Sequence, residues 1–249
     1  MRRKFLASTA LTTSTVFAAG VAWAADLPVK APPPARAPLF SWTGCYAGLN
    51  AGGAWNRVEQ DVIVPGDAAF NSSGTNTSFT GGGQIGCNWQ FDPNWVIGLE
   101  GDINYLNGKR TQAFHFRGED TILETKLSWL GTVRARLGYA WGRSFLYGTG
   151  GVAFGEVKSS VFAPVGTSSL FAGSVSEVRA GWTAGVGFEY AFADHWSAKL
   201  EYLHYDLGTV DYLVNLLAGS GGGLPSTWNA SAKVSGDLVR VGVNYRFGP

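Results

Sequence analysis

Residues 127–141 read LSWLGTVRARLGYAW, and their alternation decides the fold class. Apolar and aromatic side chains occupy every second position, and polar residues or glycine stand between them. One face carries Trp129, Val133, Ala135, Leu137, Tyr139 and Trp141, and the other carries Ser128, Thr132, Arg134, Arg136 and Gly138. Successive side chains of a β-strand point to opposite sides of its sheet. The segment is therefore predicted to be a strand with one apolar face.

Seven further segments alternate in the same way. They span residues 43–55, 79–91, 95–105, 144–157, 179–190, 196–205 and 238–247. Most have at least the nine to eleven residues that a tilted membrane strand requires. The apolar faces end in aromatic residues, as a girdle at a lipid interface does; these are Trp89, Phe91, Trp95, Tyr139, Trp141, Tyr190 and Trp196. In lipid such strands must close, because an open edge leaves backbone groups unpaired. The sequence predicts an all-β protein, a closed eight-stranded antiparallel up-and-down transmembrane β-barrel.

The connections between these segments alternate in length. Three are tight, at residues 92–94, around Gly142-Arg143 and at 191–195. Four are predicted to be long loops, at about 57–77, 106–125, 158–177 and 206–235. Outer-membrane barrels have short turns in the periplasm and long loops outside the cell. We therefore expect the four long loops to be extracellular.

Composition excludes several other classes of protein. The chain has 249 residues, of which 35 are Gly and only 15% are charged. Intrinsic disorder needs low hydrophobicity and high charge, and the glycines lack the period of three that collagen requires. A mean hydropathy of +0.03 is too low for a bundle of transmembrane helices.

The N-terminus reads as an export signal. Residues 1–24 have a basic start, a mildly apolar middle and an A-x-A-like end, which is the pattern of a signal peptide. We place cleavage after Ala24, with Ala25 as the alternative; an uncleaved anchor is the rival interpretation. Removing Arg2, Arg3 and Lys4 from 19 basic residues leaves 16 against 18 acidic ones, a net charge of −2. With no basic stripe, no nucleic-acid partner is expected.

Residues 25–41 contain five of the ten prolines and cannot join a sheet. They are predicted to be a periplasmic tail, either a spacer or a contact to the cell wall. The barrel domain then spans residues 42–249.

The polar face carries charges whose spacing predicts ion pairs in the lumen. An antiparallel register that places Glu100 opposite Arg136 also places Asp102 opposite Arg134. Unpaired charges in a narrow lumen are costly, although hydration of each charge by lumen water is the alternative. Glu189 and Lys199 are predicted to pair in the same way across the sixth and seventh strands. The predicted network also includes Glu201, Arg240 and Arg246.

The two cysteines are predicted to meet on the lipid side near the periplasmic rim. If Trp55 lies opposite Thr77, the same register places Cys45 directly opposite Cys87. The oxidising periplasm permits a disulfide there. Two unbonded thiols packed against lipid remain the alternative.

The sequence has no G-x-S-x-G, H-E-x-x-H, P-loop or C-x-x-C motif, and neither an enzyme nor a cofactor is predicted. One weak ligand candidate stands in a predicted outer loop. His115 lies between two phenylalanines beside Arg117, where the histidine could contact a haem and the arginine a propionate.

Several motifs together resemble the alphaproteobacterial outer-membrane β-barrel family, which includes outer-membrane immunogenic, porin-like and haemin-binding proteins. The motifs are AADLP at 24–28, FSWTGCYAG at 40–48, WLGTVRARLGY at 129–139, YGTGGVAFG at 147–155, GWTAGVGFEY at 181–190 and KLEY at 199–202. The resemblance covers nearly the whole chain. It departs from the family pattern at Cys45, where a bulky aromatic is expected.

The resemblance implies an outer-membrane location and an eight-stranded barrel, but not one activity. Two functions remain open: a structural and surface barrel with a lumen filled by side chains, or porin-like transport or haemin capture through the outer loops. The partners expected are outer-membrane lipid and lipopolysaccharide, together with the barrel assembly machinery during insertion. The insertion signal for that machinery is Gly242-x-x-Tyr245-x-Phe247, although two residues follow its last aromatic.

Overall fold

The structure of the chain, a computed structural model, describes residues 40–63, 70–116, 119–165, 169–218 and 227–247. The predicted signal peptide at 1–24 lies outside these described residues. So does all of the proline-rich tail except its last two residues.

Eight antiparallel strands form the fold, in chain order and with each strand paired to the next. The strands are β1 (Gly44–Ile63), β2 (Phe70–Gln90), β3 (Trp95–Phe116), β4 (Glu119–Trp141), β5 (Ser144–Val165), β6 (Ser169–Ala191), β7 (Trp196–Ala218) and β8 (Thr227–Phe247). β1 also pairs with β8, which closes the ring. The predicted eight-stranded up-and-down barrel is confirmed.

The four predicted long loops are wrong in extent, because most of their residues continue the strands. β1 runs to Ile63 and β2 begins at Phe70, so that Gln60 pairs with Ser72 inside the supposed loop. Strands of 20 to 23 residues project well beyond a hydrocarbon core about 30 Å thick. Outward side chains there face water instead of lipid, so polar residues occupy both faces and the alternation of hydropathy is lost.

The barrel wall is apolar outside and polar inside, the reverse of a soluble sandwich. On the outside, Leu49 is 74% exposed and Ile85 is 67% exposed. On the inside, Glu100 is 1% exposed and Arg136 is 0% exposed. Among the described residues, no helix has the length and apolar character needed to cross a membrane.

Exposed aromatic residues form two belts around the wall. The predicted belt at the tight-turn end also includes Phe192, Tyr245 and Phe247. A second belt, which the sequence analysis did not identify, consists of Trp55, Phe79, Tyr105, Phe154, Trp182 and Tyr202. Ten residues separate Trp95 from Tyr105 on β3, or about 33 Å along the strand and about 25 Å once the usual tilt is included. That height equals the apolar band of outer-membrane barrels.

Irregularities interrupt the ladder just beyond the second belt. The register shifts between Tyr105 and Gly108 on β3 and between Leu127 and Leu130 on β4. A β-bulge adds a residue to one strand and changes which face the following side chains occupy. Leu127 and Leu130 therefore both point into the barrel, although their positions differ in parity.

Candidate functional site: a charge network in the barrel lumen

Eight charged side chains meet in the middle of the lumen and balance one another. Four are acidic and four are basic, and every one belongs to the inward face of its strand. Each residue is at most 8% exposed: Glu100, Asp102, Arg134, Arg136, Glu189, Lys199, Glu201 and Arg240. They come from β3, β4, β6, β7 and β8, so the network ties opposite walls of the barrel together.

Glu100 is the centre of the network. Its two carboxylate oxygens accept hydrogen bonds from Lys199 Nζ at 2.8 and 2.9 Å. Arg134 Nη2 donates to it at 2.6 Å and Arg136 Nη1 at 3.2 Å. The hydroxyl of Tyr46 donates at 2.6 Å. This one carboxylate therefore accepts hydrogen bonds from three cations on two strands, and Arg240 on β8 is a fourth cation at 3.7 Å.

A second group links Asp102 and Glu201 through two arginines. Arg240 donates to Asp102 at 2.9 Å and from Nε to Glu201 at 2.8 Å. Arg134 reaches the same two carboxylates at 2.7 and 3.1 Å. Thr132 adds a hydroxyl hydrogen bond to Asp102 at 2.7 Å. Charge-assisted bonds of this kind are stronger than neutral ones and fix the geometry of the guanidinium groups.

Arg136 connects the network to the periplasmic end of the lumen. Its Nη2 donates to Glu189 at 2.7 Å, and its guanidinium carbon lies 4.0 Å from the ring centre of Tyr147. Asn244 donates to the same Glu189 at 2.8 Å. A cation over an aromatic face in a site without solvent is strongly attracted to the ring.

Three predicted details of the network are wrong. The register of β3 and β4 is shifted by two residues, so Glu100 lies opposite Arg134 instead of Arg136. Lys199 is opposite Glu189 as expected, but its ammonium bonds across the lumen to Glu100. The register follows from the turn at residues 91–94 and from backbone pairing, which the charges alone do not determine.

Arg246 is the third correction, because it forms none of the ion pairs described for the network. Its guanidinium donates to the backbone carbonyl of Ser41 at 2.5 Å and lies 4.5 Å from the ring centre of Phe40. It thus holds the segment that precedes β1 against the end of β8. A charge near the end of the last strand is too close to the periplasmic rim to reach the centre.

Inward tyrosines, which the sequence analysis did not assign to the network, pack over glycines. Tyr147 lies directly opposite Gly187, and a Cβ at that glycine would collide with the tyrosine ring. Tyr46 and Gly86 form an equivalent pair between β1 and β2. A tyrosine facing a glycine on the neighbouring strand is the sequence signal that could have identified these pairs.

Layers of buried apolar side chains lie on both sides of the charges. Towards the tight turns, the layer consists of Trp42, Val96, Ala140, Phe145, Tyr147 and Ala191. Trp42 is held there by hydrogen bonds from its backbone N–H to Gln90 at 2.8 Å and from its indole N–H to the Gly142 carbonyl at 3.3 Å. Towards the other end, the layer includes Leu106, Leu127, Leu130, Leu203, Leu207 and Leu238.

The other predicted site residues lie outside the lumen or outside the described side chains. Cys45 and Cys87 are directly opposed on the outer wall and joined by a disulfide, with their Cα atoms 3.9 Å apart. Tyr245 and Phe247 of the predicted insertion signal also point outward.

The haem candidates cannot be placed in the same way. The backbone of His115 belongs to β3, but its side chain and the whole of Arg117 lie outside the described parts of the chain. Within the described ranges, no group of three or more His, Cys, Asp or Glu side chains is arranged to hold a metal ion.

Comparison with known proteins identifies the family. The model of the outer membrane protein β-barrel domain matches residues 14–247. The chain belongs to this family. It is 40% identical to the 31 kDa outer-membrane immunogenic protein of Brucella melitensis, over 91% of this chain and 93% of that protein. It is 33% identical to the 22 kDa outer membrane protein of Rhizobium leguminosarum, over 76% of this chain and 72% of that protein.

Among solved structures, OprG of Pseudomonas aeruginosa is 14% identical, with a TM-score of 0.48 over 85% of this chain and 100% of that one. Membership of the outer membrane protein β-barrel domain family confirms the predicted resemblance. It also confirms that this chain is a protein of the bacterial outer membrane.

Proposed function

We propose that this protein is a structural and surface component of the outer membrane, with a lumen closed to solutes and no catalytic role. The observation that supports closure is the neutral network of eight charges between two apolar layers. An eight-stranded barrel is only wide enough inside for side chains. A solute would have to break the ion pairs and also displace Trp42 or the leucine layer.

Porin-like transport is the principal alternative, and it makes the opposite prediction for ion flow. Haemin capture by the outer loops depends on His115 and Arg117. No described contact favours either alternative over a closed barrel.

A single-channel recording tests the proposal. The mature protein is refolded, inserted into planar lipid bilayers and recorded in concentrated potassium chloride. We expect no stepwise current beyond that of protein-free bilayers. A stable conductance typical of an open water-filled channel would overturn the closed-lumen proposal.

Arg136→Ala shows whether the network contributes to the closed barrel. We expect this variant to unfold at a lower temperature, because Glu189 and Glu100 each lose a partner. Arg143→Ala is the matched control, since its ion pair with Asp194 lies on the surface and such pairs contribute about 0–1 kcal/mol. If Arg136→Ala changes neither the unfolding temperature nor the conductance, the network has no part in closure.

The surface role includes contacts with lipopolysaccharide and, during insertion, with the barrel assembly machinery. The outward aromatic side chains of Tyr245 and Phe247 on the last strand support recognition by that machinery. Phe247→Ala is expected to lower the fraction of protein that reaches the outer membrane. A contact of residues 25–41 with the cell wall would appear as co-sedimentation of the full mature chain, but not of a chain lacking those residues, with purified peptidoglycan.

A further inference from the structure

A polar patch interrupts the second aromatic belt on one side of the outer wall. We call it the outer-belt patch, and it consists of Trp55, Trp182, Tyr202, His204 and Asp237. Trp55 on β1 lies opposite Asp237 on β8, and Asp237 lies opposite His204 on β7. Ala184 on β6 completes this row, and Trp182 stands two residues further along the same strand. The patch thus crosses four neighbouring strands between two tryptophans.

The polar side chains of the patch are held in one arrangement. Asp237 accepts a hydrogen bond from the Tyr202 hydroxyl at 2.6 Å and lies 2.9 Å from His204 Nδ1. The rings of Trp182 and His204 are 5.2 Å apart between centres. The His204 and Asp237 side chains are each 35% exposed, so a molecule beside the wall can reach them.

Tyr202, His204 and Asp237 form a trio that bonds internally but leaves polar surface exposed at the membrane interface. Ionisable side chains that face lipid are costly unless something polar meets them. Three of the other strands place an exposed aromatic residue in the same belt, namely Phe79, Tyr105 and Phe154. The trio lies at the end of the barrel opposite the tight turns, which in outer-membrane barrels is the outer leaflet. Arg57 points outward from β1, two residues beyond Trp55, and adds a positive charge.

We propose that the outer-belt patch binds the phosphorylated glucosamine headgroup of lipopolysaccharide, which deepens the surface role proposed above and rests on it. Sugar rings pack their apolar faces on Trp55 and Trp182. Asp237 and His204 form hydrogen bonds with hydroxyl and amide groups, and Arg57 pairs with a phosphate. The strands of the two tryptophans are three strand spacings of about 4.8 Å apart. The resulting distance of about 14 Å leaves room for a disaccharide.

Native mass spectrometry of the mature barrel in detergent tests this proposal. Three lipids are titrated: bisphosphorylated lipid A, dephosphorylated lipid A and phosphatidylglycerol. We expect lipid A to bind more tightly than either of the others. Trp182→Ala and the double variant His204→Ala/Asp237→Asn should each raise the dissociation constant for lipid A about tenfold. This corresponds to a loss of about 1.4 kcal/mol of binding free energy. Tyr105→Ala, at the same level on the opposite wall, is the matched control and should bind as the wild type does.

Two results would overturn the proposal: lipid A binding to both patch variants as tightly as to the wild type, or phosphatidylglycerol binding as tightly as lipid A. The second result would identify a general anionic-lipid contact. Arg57→Ala should weaken the binding of bisphosphorylated lipid A and leave the binding of the dephosphorylated form unchanged. Equal effects on both lipids would contradict a contact between Arg57 and a phosphate. The conductance of the barrel is measured separately, so a conducting barrel contradicts the closed lumen and a failed titration contradicts only the patch.

Discussion

Replacing Glu100 with glutamine removes the central charge of the lumen while keeping the shape of the side chain. The carboxylate lies within 3.2 Å of nitrogen atoms of Lys199, Arg134 and Arg136, and it accepts a hydrogen bond from the Tyr46 hydroxyl. Glu100→Gln leaves three acids against four bases in a buried site. The amide also turns N–H donors towards groups that are themselves donors.

The expected loss of unfolding free energy is about 3–5 kcal/mol, the range for breaking one partner out of a buried ion pair. That is roughly two to four powers of ten in the folding equilibrium constant. The network as a whole can still contribute little net stability, because the desolvation of eight charges offsets their attraction. The loss therefore measures the uncompensated charge left behind, not the strength of one bond.

A second variant separates charge balance from shape. Glu100→Gln combined with Lys199→Met restores equal numbers of acids and bases with side chains of similar volume. We expect the double variant to be more stable than the sum of the two single losses predicts, with a coupling energy of about 0.5–3 kcal/mol. Unfolding in urea, followed by tryptophan fluorescence of the barrel in lipid vesicles, gives all four free energies.

A stability of Glu100→Gln within about 0.5 kcal/mol of the wild type, or additive effects of the two substitutions, would contradict the prediction. Either result would mean that water reaches the charges and screens them.

Three further predictions concern other parts of the barrel. Gly187→Ala should destabilise the protein by about 1–3 kcal/mol, because its methyl group collides with the tyrosine packed over it; Gly148→Ala, which meets nothing within 4 Å, should be nearly neutral in the same urea assay. Leu99→Arg, on the lipid-facing wall between the belts, should cost about 2–4 kcal/mol in lipid vesicles, and a loss below about 1 kcal/mol would place this residue at an interface. Cys45 and Cys87 should resist alkylation when the native membrane is analysed without reduction, and two alkylated thiols by mass spectrometry would contradict the disulfide.

The alternation of residues was sufficient to predict the closed barrel and its eight strands, but not their ends. Within the lipid band the outward side must be apolar. The apolar Leu137 can therefore be assigned to the outer face and the charged Arg136 to the lumen from their side chains alone. Beyond the band both faces can be polar, and Gln60 belongs to a strand although its neighbours Glu59 and Asp61 are charged. Only backbone pairing shows that the strand continues.

The candidate site was likewise predictable in its members but not in their pairing. Eight of the nine predicted lumen charges lie together, because inward position follows from parity and parity is visible in the sequence. Their partners depend on register and on the reach of long side chains across the barrel. Lys199 illustrates this, since it faces Glu189 in the ladder but bonds to Glu100 on another strand.

The residue pattern is enough to predict an outer-membrane barrel with a charged interior, because lipid on one side and a narrow lumen on the other impose a period of two. Only the three-dimensional arrangement shows which charges pair and that Trp42 and the leucine layer lie on either side of them. It also brought Trp55, His204 and Asp237 into one outward patch. These features join strands far apart in the chain, and strand curvature, β-bulges and register place them together. No local pattern of residues encodes that placement.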